Sequence, residues 1–279
     1  MRLGLTGWPV SHSLSPRLHN AALRAVGLDG EYNLYPVDPS EPDGLLNLTQ
    51  KIRSGELAGL NVTIPHKQNI IPMVDELTST AKLIGAVNTI YLRNGRLIGD
   101  NTDAQGFLTD LYKKAPTVMS SPGTAMVFGA GGSARAVITA LLNSSWCVKI
   151  AARDIQKAQN LALYFSNQPS GKSVEAGFLD QQFMTSLMSS VNLLVNTTPI
   201  GMVPNIDQSP WPADLPWPKS LMVYDLVYNP RKTKLVNDAI SLGLGAVGGL
   251  GMLVEQAALA FELWTGVEAP REVMYSAVE

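Results

Sequence analysis

"VFGAGGSARA", Val127–Ala136, decides how the chain is read. The apolar run "TAMVFG" breaks at a cluster of glycines and resumes as "SARAVITALLN", apolar at helical spacing. A strand turning into a helix through G-x-G-x-x-A, here Gly129, Gly131 and Ala134, lets backbone approach a pyrophosphate and aims helix amides at it. Alone the fingerprint is weak. Here the strand precedes it, the helix follows, and a second strand, "CVKIAAR", arrives on schedule. The alternative is a merely tight strand–helix turn.

Working outward, the helix "IQKAQNLALYF" and the strands "VNLLVN" and "LMVYDLVY" continue the alternation. Continuous apolar strands separated by helices predict a parallel sheet with helices on both faces, a doubly wound α/β unit. Toward the N-terminus, "RLGLTG", "GEYNLYPVD" and "LNVTI" read as strands. "SPRLHNAALRAV" reads as a helix, with Ser15 as its cap and Pro16 in its first turn. "NTIYLRNGRLIGDNTD" reads as a hairpin turned by Asn94-Gly95, and "AQGFLTDLYKK" as a short helix. "APTVMSSPG", 115–123, is the linker candidate. The expected division is an α/β domain over 1–113, a doubly wound domain over 114–250, and C-terminal helices, Gly251–Thr265 and Arg271–Ala277, that return to the first domain over 251–279.

The 279 residues suffice for two cores, and 46% hydrophobic with 16% charged residues fits a folded chain rather than a disordered one. A net charge of −2 without a Lys/Arg run argues against a nucleic-acid partner. The longest apolar stretch, Val247–Trp264, is interrupted by Glu255, Gln256 and Glu262, and so reads as a buried helix rather than a membrane span. The single cysteine, Cys147, cannot form an internal disulfide, and its place in an apolar strand predicts a buried small hydrophobe. With no signal-like start at Met1, the expected setting is a reducing cytoplasm. His12, His19 and His66 show no metal-ligand spacing, so no metal is expected.

Polar residues gather at element ends. "NVTIPHK", Asn61–Lys67, breaks an apolar strand at Pro65 and sets His66 and Lys67 just beyond it. The lysine is either solvated or held rigidly over a pocket. Ser13 and Ser15 can cradle a carboxylate with hydroxyls and free helix amides, or Ser15 only caps the helix. Asn88 in "AVNTIY" and Asp103 in "GDNTDAQG" stand at boundaries where either could be a turn former, and Thr63 could be a plain β-branched strand residue. After "CVKIAAR", where an acid would bind the ribose hydroxyls of NAD, stand Ala152 and Arg153. Arg153, with Lys157 a turn later, favours the 2′-phosphate of NADP. Asp154 either caps the next helix or reaches the ribose.

Taken in order along the whole chain, "SLSP", "NVTIPHK", "GAVNT", "GDNTDAQG", "GAGGSARA", "NTTPIGM", "DLVYNP" and "GLGMLVEQAALAFELWTG" resemble the shikimate dehydrogenase family. The resemblance implies NADP-dependent reduction of 3-dehydroshikimate to shikimate, on the chorismate route to aromatic amino acids. It implies a substrate domain with an inserted Rossmann-type domain. Lys67 would then be the catalytic group and Asp103 its partner, with Ser13, Ser15, Thr63, Asn88, Tyr228 and Gln256 contacting the substrate. Gly129, Ala130, Gly131, Gly132 and Ser133 would form the glycine loop, with Leu226 and Gly249 beside the nicotinamide. Two positions depart from the pattern: the family's frequent Asn-Arg-Thr is Ala152-Arg153-Asp154, and an acidic residue often found before "GAVNT" is Ser79.

The chemistry suits a ketone reduction. Hydride delivery to carbon leaves charge on oxygen, and a held lysine supplies a proton there without a metal. Asp103 would orient the ammonium and favour its charged form. The expected partner is the small-molecule substrate, with neither nucleic acid nor membrane, and a homodimer is left open. The rivals are a quinate or quinate/shikimate dehydrogenase using NAD, and a non-catalytic NADP-binding sensor. Intact Lys67, Asp103 and Gln256 argue against the sensor.

Overall fold

In the computed structural model, which describes residues 1–41, 43–168, 174–187 and 190–279, Asn94 and Gly95 take φ of 52° and 74°. Their tight turn joins β5 (Thr89–Arg93) to β6 (Arg96–Asp100), antiparallel, with Leu92 opposite Leu97. Asn-Gly provides this geometry because both residues tolerate positive φ. The hairpin belongs to the first of two units into which the chain divides, Met1–Gly106 with Val254–Glu279; the other is Phe107–Leu253.

The first unit's sheet runs β2-β1-β3-β5-β6-β4, with β1 at Arg2–Gly7, β2 at Glu31–Pro36, β3 at Gly59–Val62 and β4 at Glu76–Leu77. β1 pairs in parallel with β2 and β3, while β3 meets β5 antiparallel. Helices α1 (Ser15–Ala25), α2 (Gly44–Arg53) and α3 (Ser79–Ile84) connect the strands. Leu45, Leu48 and Ile52 of α2 pack with Leu60, Val62, Ile90 and Leu97 of the sheet. α4 (Asp103–Lys114) follows β6, and the C-terminal helices are α10 (Leu250–Thr265) and α11 (Arg271–Ser276). Trp264 of α10 donates its indole N–H to the Ile90 carbonyl at 3.1 Å. Gly59 makes room for that ring, since a Cβ there would lie 2.2 Å from the indole nitrogen.

In the second unit, α5 (Pro116–Met119) precedes β7 (Thr124–Phe128), α6 (Gly132–Asn143), β8 (Cys147–Ala152), α7 (Ile155–Ser166) and β9 (Val174–Phe178). Then come α8 (Gln181–Leu187), β10 (Val191–Asn196), β11 (Met222–Asp225), α9 (Lys234–Ser241) and β12 (Gly245–Gly248). Every strand pair is parallel, in the order β12-β11-β10-β7-β8-β9. Counted from β7 this is 3-2-1-4-5-6 read from the far edge, the doubly wound order of dinucleotide-binding sheets.

The stretch 115–123 is not simply a linker: α5 lies within it, with Ala115 and Met119 buried. Cys147 is exposed rather than buried, because it opens β8 on the side opposite the inward-facing Val148 and Ile150. The link from β10 to β11 carries no helix. Its six prolines, from Pro199 to Pro218, remove the amide donors a helix would need. It packs instead through Trp211, stacked on Trp217 at 4.2 Å and buried against Phe128 and Leu194. Among the described residues, no helix is long and apolar enough to cross a membrane.

Candidate active site

Lys67 is buried, and its Nζ donates to Asp103 Oδ2 at 2.6 Å. The position differs from the expected strand end. β3 stops at Val62, and Lys67 stands further on, in a turn. That turn is fixed by His66 N to the Thr63 carbonyl at 2.9 Å and Val87 N to the Lys67 carbonyl at 2.8 Å. It is also fixed by the buried His66 ring, whose Nε2 lies 2.8 Å from the Val37 carbonyl and therefore carries the proton. Rigidity at Lys67 thus comes from an anchored turn rather than from the sheet.

Asp103 is the first residue of α4, where a carboxylate is favoured by the unpaired amides of a helix start. Its own amide donates to Asn101 Oδ1 at 3.0 Å, and Asn101 Nδ2 donates to the Ala86 carbonyl at 2.9 Å, which ties the start of α4 to the segment before β5. Asn88 Nδ2 donates to Asp103 Oδ1 at 2.9 Å and reaches Gln256 Oε1 of α10 at 3.4 Å. Gly106 allows that convergence: a Cβ there would stand 2.8 Å from the Gln256 backbone nitrogen. Lys67, Asn88, Asp103 and Gln256 therefore meet in one polar network.

Ser13 and Ser15 stand together, but Ser15 is not the helix cap. It is the first residue of α1 after Leu14, which has no capping side chain, and its amide donates to Ser13 Oγ at 3.2 Å. Ser13 Oγ in turn donates to Ser15 Oγ at 3.1 Å. Thr63 lies past the end of β3, with its methyl where a Cβ on Gly7 would come within 2.4 Å, so Gly7 is required for that packing.

In the second unit, Gly129 takes φ of +106°, and a Cβ on it would meet Thr197 Oγ1 at 2.7 Å. Gly131 caps α6, and a Cβ there meets nothing within 4 Å, leaving open space before the helix. Gly132 and Ser133 begin α6, Ala130 is half-buried, and Ala134 packs wholly buried. Arg153 is exposed just beyond β8. Asp154 caps α7, accepting Lys157 N at 3.1 Å, and its other oxygen lies 3.3 Å from Lys157 Nζ. The Lys157 amide, then its ammonium, hold the Asp154 carboxyl below the usual range. Lys157 is thus paired with Asp154.

Leu226 and Gly249 also meet: a Cβ on Gly249 would lie 2.1 Å from the Leu226 carbonyl oxygen. Tyr228 lies in the turn after β11, half-buried. Asp225 organises that turn. Buried, it accepts from Asn196 Nδ2 at 2.8 Å, Val227 N at 3.0 Å and Thr233 Oγ1 at 2.6 Å. Burial pushes it up to about 6 against those hydrogen bonds.

Asp225, Asn61, Thr89, Asn101 and Thr102 escaped the sequence reading. Their signal was available, since Asn61 is an amide within an apolar strand and Asn101-Thr102 adjoin Asp103. Among the described residues, no group of His, Cys, Asp and Glu could hold a metal ion.

A doubly wound unit with an open glycine turn and a mixed-sheet unit holding a buried ammonium–carboxylate pair are the parts of a dinucleotide-dependent dehydrogenase of two α/β units. A family model described as the shikimate dehydrogenase substrate binding domain matches residues 5–90, and one described as the shikimate 5′-dehydrogenase C-terminal domain matches 249–279. The shikimate dehydrogenase (NADP(+)) of Methanopyrus kandleri is 42% identical over 99% of this chain and 94% of its own. The Thermus thermophilus shikimate 5-dehydrogenase, solved with NADP(H) and shikimate, is 37% identical, with a TM-score of 0.85 over 99% of this chain and 98% of its own. A Corynebacterium glutamicum quinate dehydrogenase in complex with NAD is 29% identical, with a TM-score of 0.89 over 99% and 98%. The chain belongs to the shikimate dehydrogenase family.

Proposed function

We propose that the chain catalyses the reversible, NADP-dependent reduction of 3-dehydroshikimate to shikimate. Residues 1–113 and 251–279 would hold the substrate, and 114–250 the cofactor. The observation that carries this is the buried Lys67–Asp103 pair at 2.6 Å. Reduction places negative charge on the former carbonyl oxygen, and an ammonium held on a fixed turn can stabilise that charge and pass it a proton. Asp103 orients the ammonium, and Asn88 holds the carboxylate in place from its other oxygen. Asn88 and Gln256, with Thr63 and Tyr228, are suited to ring hydroxyls, and the hydroxyls of Ser13 and Ser15 to the substrate carboxylate.

The second unit fits NADP. The space before Gly131, at the amide-bearing start of a twelve-residue helix, suits a pyrophosphate. The exposed Arg153 suits a 2′-phosphate, and Leu226 and Gly249, packed so closely that Gly249 admits no side chain, suit the neighbourhood of the nicotinamide. When bound, NADPH supplies the hydride.

The unpaired Cys147 and the absence of basic runs support a cytoplasmic enzyme whose partner is a small acid; association of two copies is read directly by sedimentation. The deciding test is absorbance of the reduced nicotinamide with shikimate or quinate and NADP or NAD. Turnover should be fastest with shikimate and NADP, and faster quinate turnover with NAD would overturn the reading.

A further inference from the structure

Resting on that reading of the Lys67–Asp103 pair, we propose that Thr89 and Asn61 are positioning residues that act on it through the side-chain amide of Asn88. Two backbone groups fix the direction of the bonds. The Asn88 carbonyl can only accept, so the Asn61 atom 3.1 Å away is the nitrogen, and the Asn61 oxygen accepts from the Tyr32 hydroxyl at 2.8 Å. The Thr102 amide can only donate, so the Asn88 atom 2.8 Å away is the oxygen, which turns the Asn88 nitrogen toward Asp103. Neither amide can be flipped without setting donor against donor or acceptor against acceptor.

Thr89 Oγ1 stands between the two amides. It accepts from Asn61 Nδ2 at 3.1 Å and donates to Asn88 Oδ1 at 2.9 Å. Donation therefore runs one way, from Tyr32 through Asn61, Thr89 and Asn88, to the carboxylate oxygen of Asp103 opposite the one that holds Lys67. All five residues of this chain of bonds are buried. In a buried chain each bond polarises the next. The Thr89 hydroxyl strengthens Asn88 as a donor and keeps its amide from rocking away from Asp103. Without it, Asn88 Oδ1 keeps only its bonds from Thr102, and the carboxylate and the ammonium it orients are held less firmly.

A packing role for Thr89 makes opposite demands. Thr89 belongs to β5 and is fully buried, so valine would satisfy packing as well as threonine does. Thr89→Val keeps the shape and deletes the hydroxyl, whereas Thr89→Ser keeps the hydroxyl and deletes the methyl. Thr89→Val should lower kcat about ten-fold, the effect of one buried hydrogen bond, while the KM for NADP stays at the parental value. Thr89→Ser should restore most of the turnover.

Parental kcat in Thr89→Val, or a Thr89→Ser variant as impaired as Thr89→Val, would overturn the assignment. Should Thr89→Val not fold, Tyr32→Phe removes the outermost donor with little change of shape. It should lower kcat roughly three-fold with an unmoved KM for NADP, and unchanged kcat there overturns the assignment equally. Lys67→Ala run alongside separates the two levels. An inactive Lys67→Ala beside an unaffected Thr89→Val sinks only the positioning role, whereas a fully active Lys67→Ala sinks the reading of the pair and this role with it.

Discussion

Asp103 and Asp225 are both buried carboxylates, and each draws its partners from separate segments, yet the partners differ in kind. Asp103 faces a charge: Lys67 at one oxygen, with the amide of Asn88 at the other. Asp225 faces only neutral donors, those of Asn196, Val227 and Thr233, and burial carries it up to about 6. A charge-compensated carboxylate keeps an ammonium in place, which is what the proposed reduction asks of Lys67. A carboxylate met by dipoles alone fixes the path of a turn, here the one that carries Leu226 and Tyr228. Burial therefore does not mark chemistry; the charge of the partner does.

The sharpest way to break that contrast is to remove the charge. Lys67→Ala should lower turnover by about 10²–10⁴-fold, the usual effect of a positioned acid, with substrate affinity little changed. Thermal melting controls for the uncompensated Asp103 left behind. Turnover within a few-fold of the parent would remove Lys67 from the mechanism and leave Asp103 as structural as Asp225.

Acid stability should separate the two units in opposite directions. His19 in the first unit is fully buried, stacked on Tyr32 at 4.2 Å, and burial pushes its imidazole from 6.5 down to about 3, against a weaker opposing pull from the nearby Asn61. Between those values the unfolded chain binds a proton that the native unit refuses. Its stability is complete above 6.5 and falls as pH drops toward 3. Asp225 is raised from 3.8 to about 6, so its contribution is complete below 3.8 and is lost as pH rises through 6. Across their windows these effects amount to about 5 and about 3 kcal/mol. Hydrogen exchange corrected for intrinsic rates should show the first unit loosening in acid before the second. His19→Phe should flatten the acid decline of the first unit, and Asp225→Asn should flatten the opposite slope of the second. Parallel declines in both parental units would refute the contrast.

A smaller effect is expected at the serines, and the structure ranks them. With Ser13 Oγ donating to Ser15 Oγ, the Ser15 proton is left for an incoming carboxylate. Ser15→Ala should raise the KM for shikimate roughly ten-fold or more, and Ser13→Ala less, with the KM for NADP unmoved in both. A larger effect from Ser13 would mean that the hydroxyl pair is oriented the other way.

How far the sequence could be read follows the same physics. The hairpin was legible because Asn94-Gly95 sits between alternating apolar residues. The doubly wound sheet was legible because buried parallel strands such as Val191–Asn196 are continuously apolar. β9 and β12 left little trace, since each is short and contains glycine where a strand residue would declare itself. Lys67, Asn88, Asp103 and Gln256 were nameable from motifs, and the resemblance paired Lys67 with Asp103, but the link from Asn88 to Gln256 was not legible, because it depends on Gly106 bringing α4 and α10 together. Nor could sequence tell that Lys67 hangs from a turn pinned by His66, or that Ser15 begins α1 without capping it.

The smallest expected effect concerns cofactor choice, where the relevant charges are solvated. Arg153 is exposed beyond β8, free of the constraints that hold Lys67, and its planar guanidinium can meet a 2′-phosphate through two parallel hydrogen bonds. Lys157 is a weaker contributor than its position suggests, because Asp154 lies 3.3 Å from its ammonium. Asp154 itself is occupied with capping α7, so it neither repels the phosphate strongly nor binds the ribose hydroxyls. Preference for NADP over NAD should then rest mainly on Arg153, and at a solvent-screened site Arg153→Ala should erase about ten-fold of it while leaving kcat/KM for NAD near the parental value. Asp154→Ala should lower thermal stability slightly through the lost cap and, by releasing Lys157, raise NADP preference a little without touching NAD kinetics. A fall in kcat/KM for NAD in Asp154→Ala would instead identify Asp154 as a ribose ligand. A parent that prefers NAD would show that the exposed Arg153 does not decide which cofactor the second unit takes.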